Sequence, residues 1–367
     1  MRASGSVGMD MAKMPSVRMS TVAPLLAAAH GERAAHTPVW FMRQAGRSLP
    51  EYRRLRGDGS ILEAIADPDI AAEITLQPVR RYGVDAAVLF SDIVVPAHAI
   101  GFGIDVVPGT GPVATRPFRE HRDLQRLRAL QPDDVEHVAA TVERVAAALD
   151  PMTVLLGFAG APFTVASYLV EGRPSRTYEH TKALMRADES LWHELMDRLT
   201  TSAVTFLDVQ LEHGAEAFQL FDSWAGALSR ADYDRFVRPH SQRVFAELAS
   251  RHPQAPAVHF GIGCDHLLES MWASMDAIGP RIIGLDWRTP IADARQRLGA
   301  DVAVQGNLDP ALILAGRDVA LDGARAVLAD NDGHPAHVFN LGHGVQPTSD
   351  PDVLAAVVEL VHGASSR

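Results

Sequence analysis

Short, nearly continuous apolar runs that stop at a polar or glycine cluster recur along the chain. They predict strands over Pro38 to Met42, Asp85 to Phe90, Met152 to Phe158, Glu216 to Phe221, Pro256 to Phe260, Arg281 to Leu285, Val302 to Gln305 and Ala336 to Asn340. Most are separated by segments in which apolar residues return at three and four positions, the spacing of a helix with one buried face. Such helices are predicted over Asp134 to Leu149, Ala187 to His213, Tyr233 to Arg251, His266 to Met275 and Ala292 to Leu298. Apolar strands alternating with amphipathic helices indicate a parallel sheet covered by helices. Eight such units favour a single-domain α/β fold of the (β/α)8 TIM-barrel type over an open doubly wound sheet.

The stretch from Gly101 to Phe118 breaks the alternation, and its glycines and prolines predict a hairpin inserted after the second strand, at the rim of the barrel mouth. Residues 1–22, with Met1, Met9, Met11, Met14 and Met19 among Ser, Gly and Arg, are read as a disordered extension, leaving 23–367 as the barrel domain. No stretch reaches the roughly 18–20 apolar residues of a membrane-spanning helix, so the expected setting is the cytoplasm.

Charge and cysteine content narrow the classes. The chain has 34 basic and 45 acidic residues among 367, a net charge of −11. That balance argues against nucleic acid as a partner, because phosphate binding draws on Lys and Arg. A single cysteine, Cys264, excludes an intramolecular disulfide framework and a four-cysteine zinc site. His259 and Cys264 stand close in sequence but lack a second thiolate. The lysines, Lys13 and Lys182, lie in the tail and in a polar helical segment, which disfavours a Schiff-base cofactor. No glycine-rich nucleotide loop follows a strand. No metal or organic cofactor is therefore expected.

In a barrel of this kind, the loops at the carboxyl ends of the strands build the site. The first strand runs into Arg43-Gln44-Ala45-Gly46-Arg47, where two arginines four apart share a face if the turn is helical and can grip carboxylates. Gly46 between them allows close backbone approach to a ligand. Arg43, nearer the strand end, is expected to lie deeper than Arg47. The plain alternative is a solvated arginine pair. Asp92 leaves the second strand either as a helix N-cap or as a carboxylate that stabilises positive charge in the mouth. Tyr168 is a core residue or a site hydroxyl. Ser223 lacks a nucleophile-elbow context, and His343, between two glycines, sits on a loop suited to function.

These junctions together resemble the uroporphyrinogen decarboxylase family. The segments carrying the resemblance are Pro38 to Arg47, Phe90-Ser91-Asp92-Ile93, Gly157 through Gly172, Phe221 to Gly226, Gly284 to Trp287, Val304 to Pro310 and Phe339 to Gly344, spanning most of the chain. Ser48 departs from the aromatic residue the family usually carries there. The resemblance implies removal of carbon dioxide from the four acetate side chains of uroporphyrinogen III to give coproporphyrinogen III, without metal or cofactor, by a homodimer of single-domain barrels. It implies substrate contacts at Arg43, Gln44, Ala45, Gly46, Arg47, Asp92, Tyr168, Ser223 and His343, with Asp92 and Arg43 closest to the chemistry. Two other functions fit the same scaffold. A corrinoid or thiol methyltransferase would want a zinc-binding His and two Cys, and a non-catalytic tetrapyrrole carrier could dispense with Asp92.

Overall fold

Seven of the predicted strands form and pair in one parallel sheet, because each is largely apolar and finds cover on both faces. The computed structural model describes residues 22–46, 48–57 and 59–364. Its strands are β1 (Ala86–Val88), β2 (Ile104–Val107), β3 (Gly111–Ala114), β4 (Val154–Gly160), β5 (Ala217–Phe221), β6 (Ala257–Phe260), β7 (Arg281–Gly284), β8 (Ala303–Leu308) and β9 (His337–Leu341). The sheet runs β1-β4-β5-β6-β7-β8-β9, with every neighbouring pair parallel. Strands β1, β4, β6, β8 and β9 are buried at every position, the signature of a parallel sheet covered on both faces.

The predicted strand Pro38 to Met42 is reduced to a single bridge, Val39 to Phe339. The physical reason is competition for its N–H groups. Those of Val39, Phe41 and Met42 donate to side chains instead: Asp85 Oδ2 at 2.7 Å, Gln44 Oε1 at 2.9 Å and Asn340 Oδ1 at 3.0 Å. The segment nevertheless lies between the two sheet edges. Val39 O accepts from Asp85 N at 2.8 Å on the β1 side, while Phe339 N donates to Pro38 O at 2.8 Å on the β9 side. A polar chain also crosses the interior: Trp40 Nε1 donates to Gln305 Oε1 at 3.0 Å, and Gln305 Nε2 donates to Gln219 Oε1 at 2.8 Å. All three side chains are buried, so these bonds replace water that cannot enter.

Helices fill the crossovers. The predicted helix Tyr233 to Arg251 is two, Arg230–Phe236 and Arg238–Arg251, broken at Val237. Pro239, in the first turn of the second helix, has no N–H to donate to Arg235 O, so an unbroken helix could not carry its hydrogen-bond ladder through here. Strands β2 and β3 form an antiparallel hairpin. It docks on the end of the helix Pro162–Glu171 through Ala114 N to Gly172 O and Phe118 N to Leu169 O, both 2.8 Å. Gly172, at φ 80°, is needed there, since a Cβ would lie 2.5 Å from Pro117. Among the described residues no helix is long and apolar enough to cross a membrane.

Candidate active site

Close packing of loop backbones brings the carboxyl ends of the strands together. A Cβ on Gly342, after β9, would lie 2.3 Å from Trp287 N, after β7; one on Gly226, after β5, would lie 2.3 Å from Ile262 O, after β6. At Gly160, the end of β4, it would meet Ile93 at 2.9 Å, beside Asp92. Each glycine lets one loop press directly on the next. Asn307, near the end of β8, holds the loop after β7 by donating through Nδ2 to Asp286 O at 2.9 Å and Thr289 O at 2.6 Å.

The loop after Val39 is a turn rather than a helix, which corrects the shared helical face expected for Arg43 and Arg47. Arg43 sits at φ 62° and Gly46 at φ 135°, and the helix begins only at Pro50. Left-handed geometry at a residue with a side chain costs about 1–2 kcal/mol, so the surroundings must hold it. Gln44 does this. Its Oε1 accepts from Phe41 N, and its Nε2 donates to Ala86 O at 2.8 Å. Gln44 is fully buried and its amide is spent on backbone, so it holds the loop in place. Ala45 is half-buried; Gly46 is buried, with only the Tyr52 ring near its missing Cβ, so conformation rather than close approach calls for glycine.

Arg43 is exposed, and its stem lies over Gly344, where a Cβ would fall 2.5 Å from Arg43 Cδ. Val345 N donates to Met42 O at 2.8 Å, locking the first and last loops together. Among the described residues the Arg43 guanidinium has no ion pair. Arg47 lies outside the described residues. Ser48 is buried with its hydroxyl beside Tyr82.

Asp92 is half-buried, and its Oδ1 accepts from Val94 N at 3.0 Å. The helix that follows, Val95–Ala99, takes Val94 as its cap residue, so Asp92 forms a turn ahead of the helix rather than capping it. Burial pushes the Asp92 carboxyl up; the Val94 N–H and the positive charge of Arg43 work against that. Burial also raises the Tyr168 phenol, with the Asp92 charge adding and Arg43 opposing. These shared influences place Arg43, Asp92 and Tyr168 in one electrostatic neighbourhood.

The Tyr168 ring lies 3.8 Å from that of Trp224, which in turn lies 5.1 Å from Tyr178. This aromatic wall was not singled out from sequence, where Trp224 stood only as part of a motif and Tyr178 not at all. Ser223, beside Trp224, is half-buried, and its hydroxyl makes no hydrogen bond among the described residues. His343 is half-buried, and its Nδ1 accepts from Gly344 N at 2.7 Å, so the neutral ring carries its proton on Nε2.

Beneath the wall, Asp222 accepts from Thr164 Oγ1 at 2.9 Å, and Thr164 accepts from Trp224 N at 3.3 Å. Asp222 thereby holds the strand end that carries Trp224 and Ser223. Burial pushes its carboxyl up to about 7 and the His259 imidazole down to about 4. The two stand 4.0 Å apart and fully buried, and burial opposes charge on both. Burial also raises the Cys264 thiol, reinforced by Asp222 and Asp286. The chain carries one cysteine, so the pair of thiolates expected of a zinc-dependent methyltransferase is not present.

A family model described as uroporphyrinogen decarboxylase matches residues 21–364. A uroporphyrinogen decarboxylase from Saccharopolyspora erythraea is 52% identical over 356 residues, covering 94% of this chain and 96% of its own. One from Rhodococcus opacus is 53% identical over 345 residues, covering 93% and 95%. A solved methyltransferase from Methanosarcina mazei superposes with a TM-score of 0.77 at 18% identity, covering 94% of this chain and 98% of its own, a likeness of fold alone. Given a match across nearly its whole length and relatives more than half identical to it, the chain belongs to the uroporphyrinogen decarboxylase family.

Proposed function

We propose that this chain removes carbon dioxide from the four acetate side chains of uroporphyrinogen III, giving coproporphyrinogen III, with its own residues and the substrate supplying the chemistry. The observation that carries this reading is the exposed Arg43, held in a left-handed turn with no ion pair among the described residues, whose positive charge acts on the half-buried Asp92. A cation and an anion kept apart from ordinary partners suit a substrate that brings carboxylates at its edge and pyrrole N–H groups at its centre. Local cationic charge is what such a ligand needs on a protein of net charge −11.

Loss of carbon dioxide leaves an electron pair on the side-chain carbon. A pyrrole protonated on a ring carbon accepts that pair, and the former acetate carbon is then protonated to a methyl group while the ring loses its added proton. Asp92 accepts hydrogen bonds from the pyrrole N–H groups and stabilises the positive charge while it lasts, an electrostatic task favoured by its partly dry setting. Arg43 grips a carboxylate; a guanidinium holds its protons too tightly to be a good general acid. The Tyr168–Trp224 wall offers the macrocycle an apolar face, with Ser223 and His343 supplying polar contacts at the edge.

The segment Pro38 to Met42 supports reading the sheet as a closed (β/α)8 barrel, because it bonds to β1 on one side and β9 on the other. A cytoplasmic homodimer is the working form carried over from the family resemblance, and sedimentation of the purified protein tests the dimer. The test of function is Asp92→Asn. The unaltered enzyme should turn over uroporphyrinogen, and a soluble, folded variant should be at least about a hundredfold slower, since groups of this kind contribute roughly 10²–10³ in rate. Near-normal turnover would contradict the role. Tight binding without turnover by the unaltered protein would favour the carrier.

A further inference from the structure

We propose that His36, Asp85 and His362 form a binding site for a divalent transition cation of zinc's kind at the amino-terminal end of the sheet, opposite the mouth. Asp85 immediately precedes β1, whereas Asp92 follows it. His36 Nε2 lies 2.6 Å from Asp85 Oδ1, and His362 Nε2 lies 2.8 Å from Asp85 Oδ2. The imidazole centroids are 4.0 Å apart, and one ligand atom from each of the three residues lies within 4.8 Å of the others. The residues come from three separate parts of the chain: the segment before Val39, the entry to β1 and the helix Pro351–Ala364.

Two imidazole nitrogens and one carboxylate oxygen are the ligand set of zinc, nickel, cobalt or copper sites; calcium and magnesium prefer all-oxygen shells. Zinc ligands at about 2.0–2.2 Å in tetrahedral array stand roughly 3.4 Å from one another. The present contacts would open by under about 1 Å to admit the ion, and each imidazole would move its proton from Nε2 to Nδ1. Asp85 is already fixed for the task. Val39 N donates to its Oδ2 at 2.7 Å, and its backbone bonds to Val39 O and from Val154 N at 2.8 and 3.0 Å. Such anchoring of a ligand by its neighbours is typical of a preorganised metal site. The His36 and His362 side chains are 26% and 27% exposed, which gives a route of entry and leaves the fourth position to water. A bound cation would clamp the C-terminal helix to the start of the sheet, with no part in the chemistry at the mouth.

The test titrates the metal-free, full-length enzyme with zinc by calorimetry and with cobalt by visible absorption. One ion per chain is expected. Affinity should fall at least about tenfold in both His36→Ala and His362→Ala. It should be unchanged in His240→Ala, which breaks a different histidine pair, His193–His240 at 2.8 Å. Zinc at about a hundred times its dissociation constant should raise the thermal midpoint of the unaltered protein by roughly 3 °C and leave His362→Ala unmoved. Both histidine variants sit at partly exposed positions, so each can be checked for folding by turnover of uroporphyrinogen. Undiminished binding in both variants, loss of binding in His240→Ala instead, or no binding by the unaltered protein below millimolar zinc would each overturn the proposal.

Discussion

Two aspartates seven residues apart mark the opposite ends of one strand, and they are treated in opposite ways. Asp85, at the amino-terminal end, is buried and accepts from two imidazoles and a backbone N–H. Asp92, at the carboxyl end, is half-buried and accepts one backbone N–H among the described residues. The same contrast extends to their surroundings. Gln44 beneath the mouth spends every bond on backbone, whereas Arg43 above it, its chain neighbour, is exposed without an ion pair among the described residues. Polar groups satisfied internally hold the fold; those left with spare capacity are available to a ligand.

The contrast can be broken first at Arg43. Arg43→Lys keeps the charge but not the planar two-pronged grip, so kcat should fall by about tenfold or more, while Arg43→Gln loses both. The two substitutions should also differ in pH response. In the proposed mechanism Asp92 acts ionised, and burial raises its pKa, so activity should fall on acidification at a pH above the usual carboxylate range. Because the Arg43 charge opposes that rise, Arg43→Gln should move the acid limb of kcat/KM still higher, whereas Arg43→Lys should leave it near that of the unaltered enzyme. Rate profiles of all three proteins check both expectations.

At the other end, Asp85→Asn should cost about 2 kcal/mol of stability, because the amide keeps one acceptor oxygen and turns an N–H toward a donor. Turnover per folded molecule should stay unchanged. Denaturant unfolding measured beside steady-state kinetics distinguishes this from a role in the chemistry, since a fall in kcat at constant stability would erase the distinction between the two ends.

Much of this was legible in the chain. Strands such as Pro256 to Phe260 were predicted within one residue because a short apolar run between turn residues has few other ways to be buried. The segment Pro38 to Met42 misled for an informative reason. Its pattern is that of a strand, but its N–H groups are claimed by Asp85, Gln44 and Asn340, residues brought to it only by the fold. The spacing of Arg43 and Arg47 suggested a helical face, and nothing local revealed the left-handed turn that Gln44 enforces from below. Asp92 and Tyr168 stood out as candidates from their motifs. Their electrostatic link to Arg43 required the three-dimensional arrangement, as did the support Asp222 gives Trp224 through Thr164.

The central claim is that the mouth decarboxylates uroporphyrinogen with the chain's own residues. Its most direct test is anaerobic incubation of the chelator-treated, dialysed enzyme with uroporphyrinogen III, followed by oxidation and a mass count of carboxyl groups. The account predicts a product lacking four carboxyl groups, preceded by intermediates that have lost one, two and three. Recovery of the octacarboxylate unchanged, or activity that returns only when zinc is restored, would contradict it.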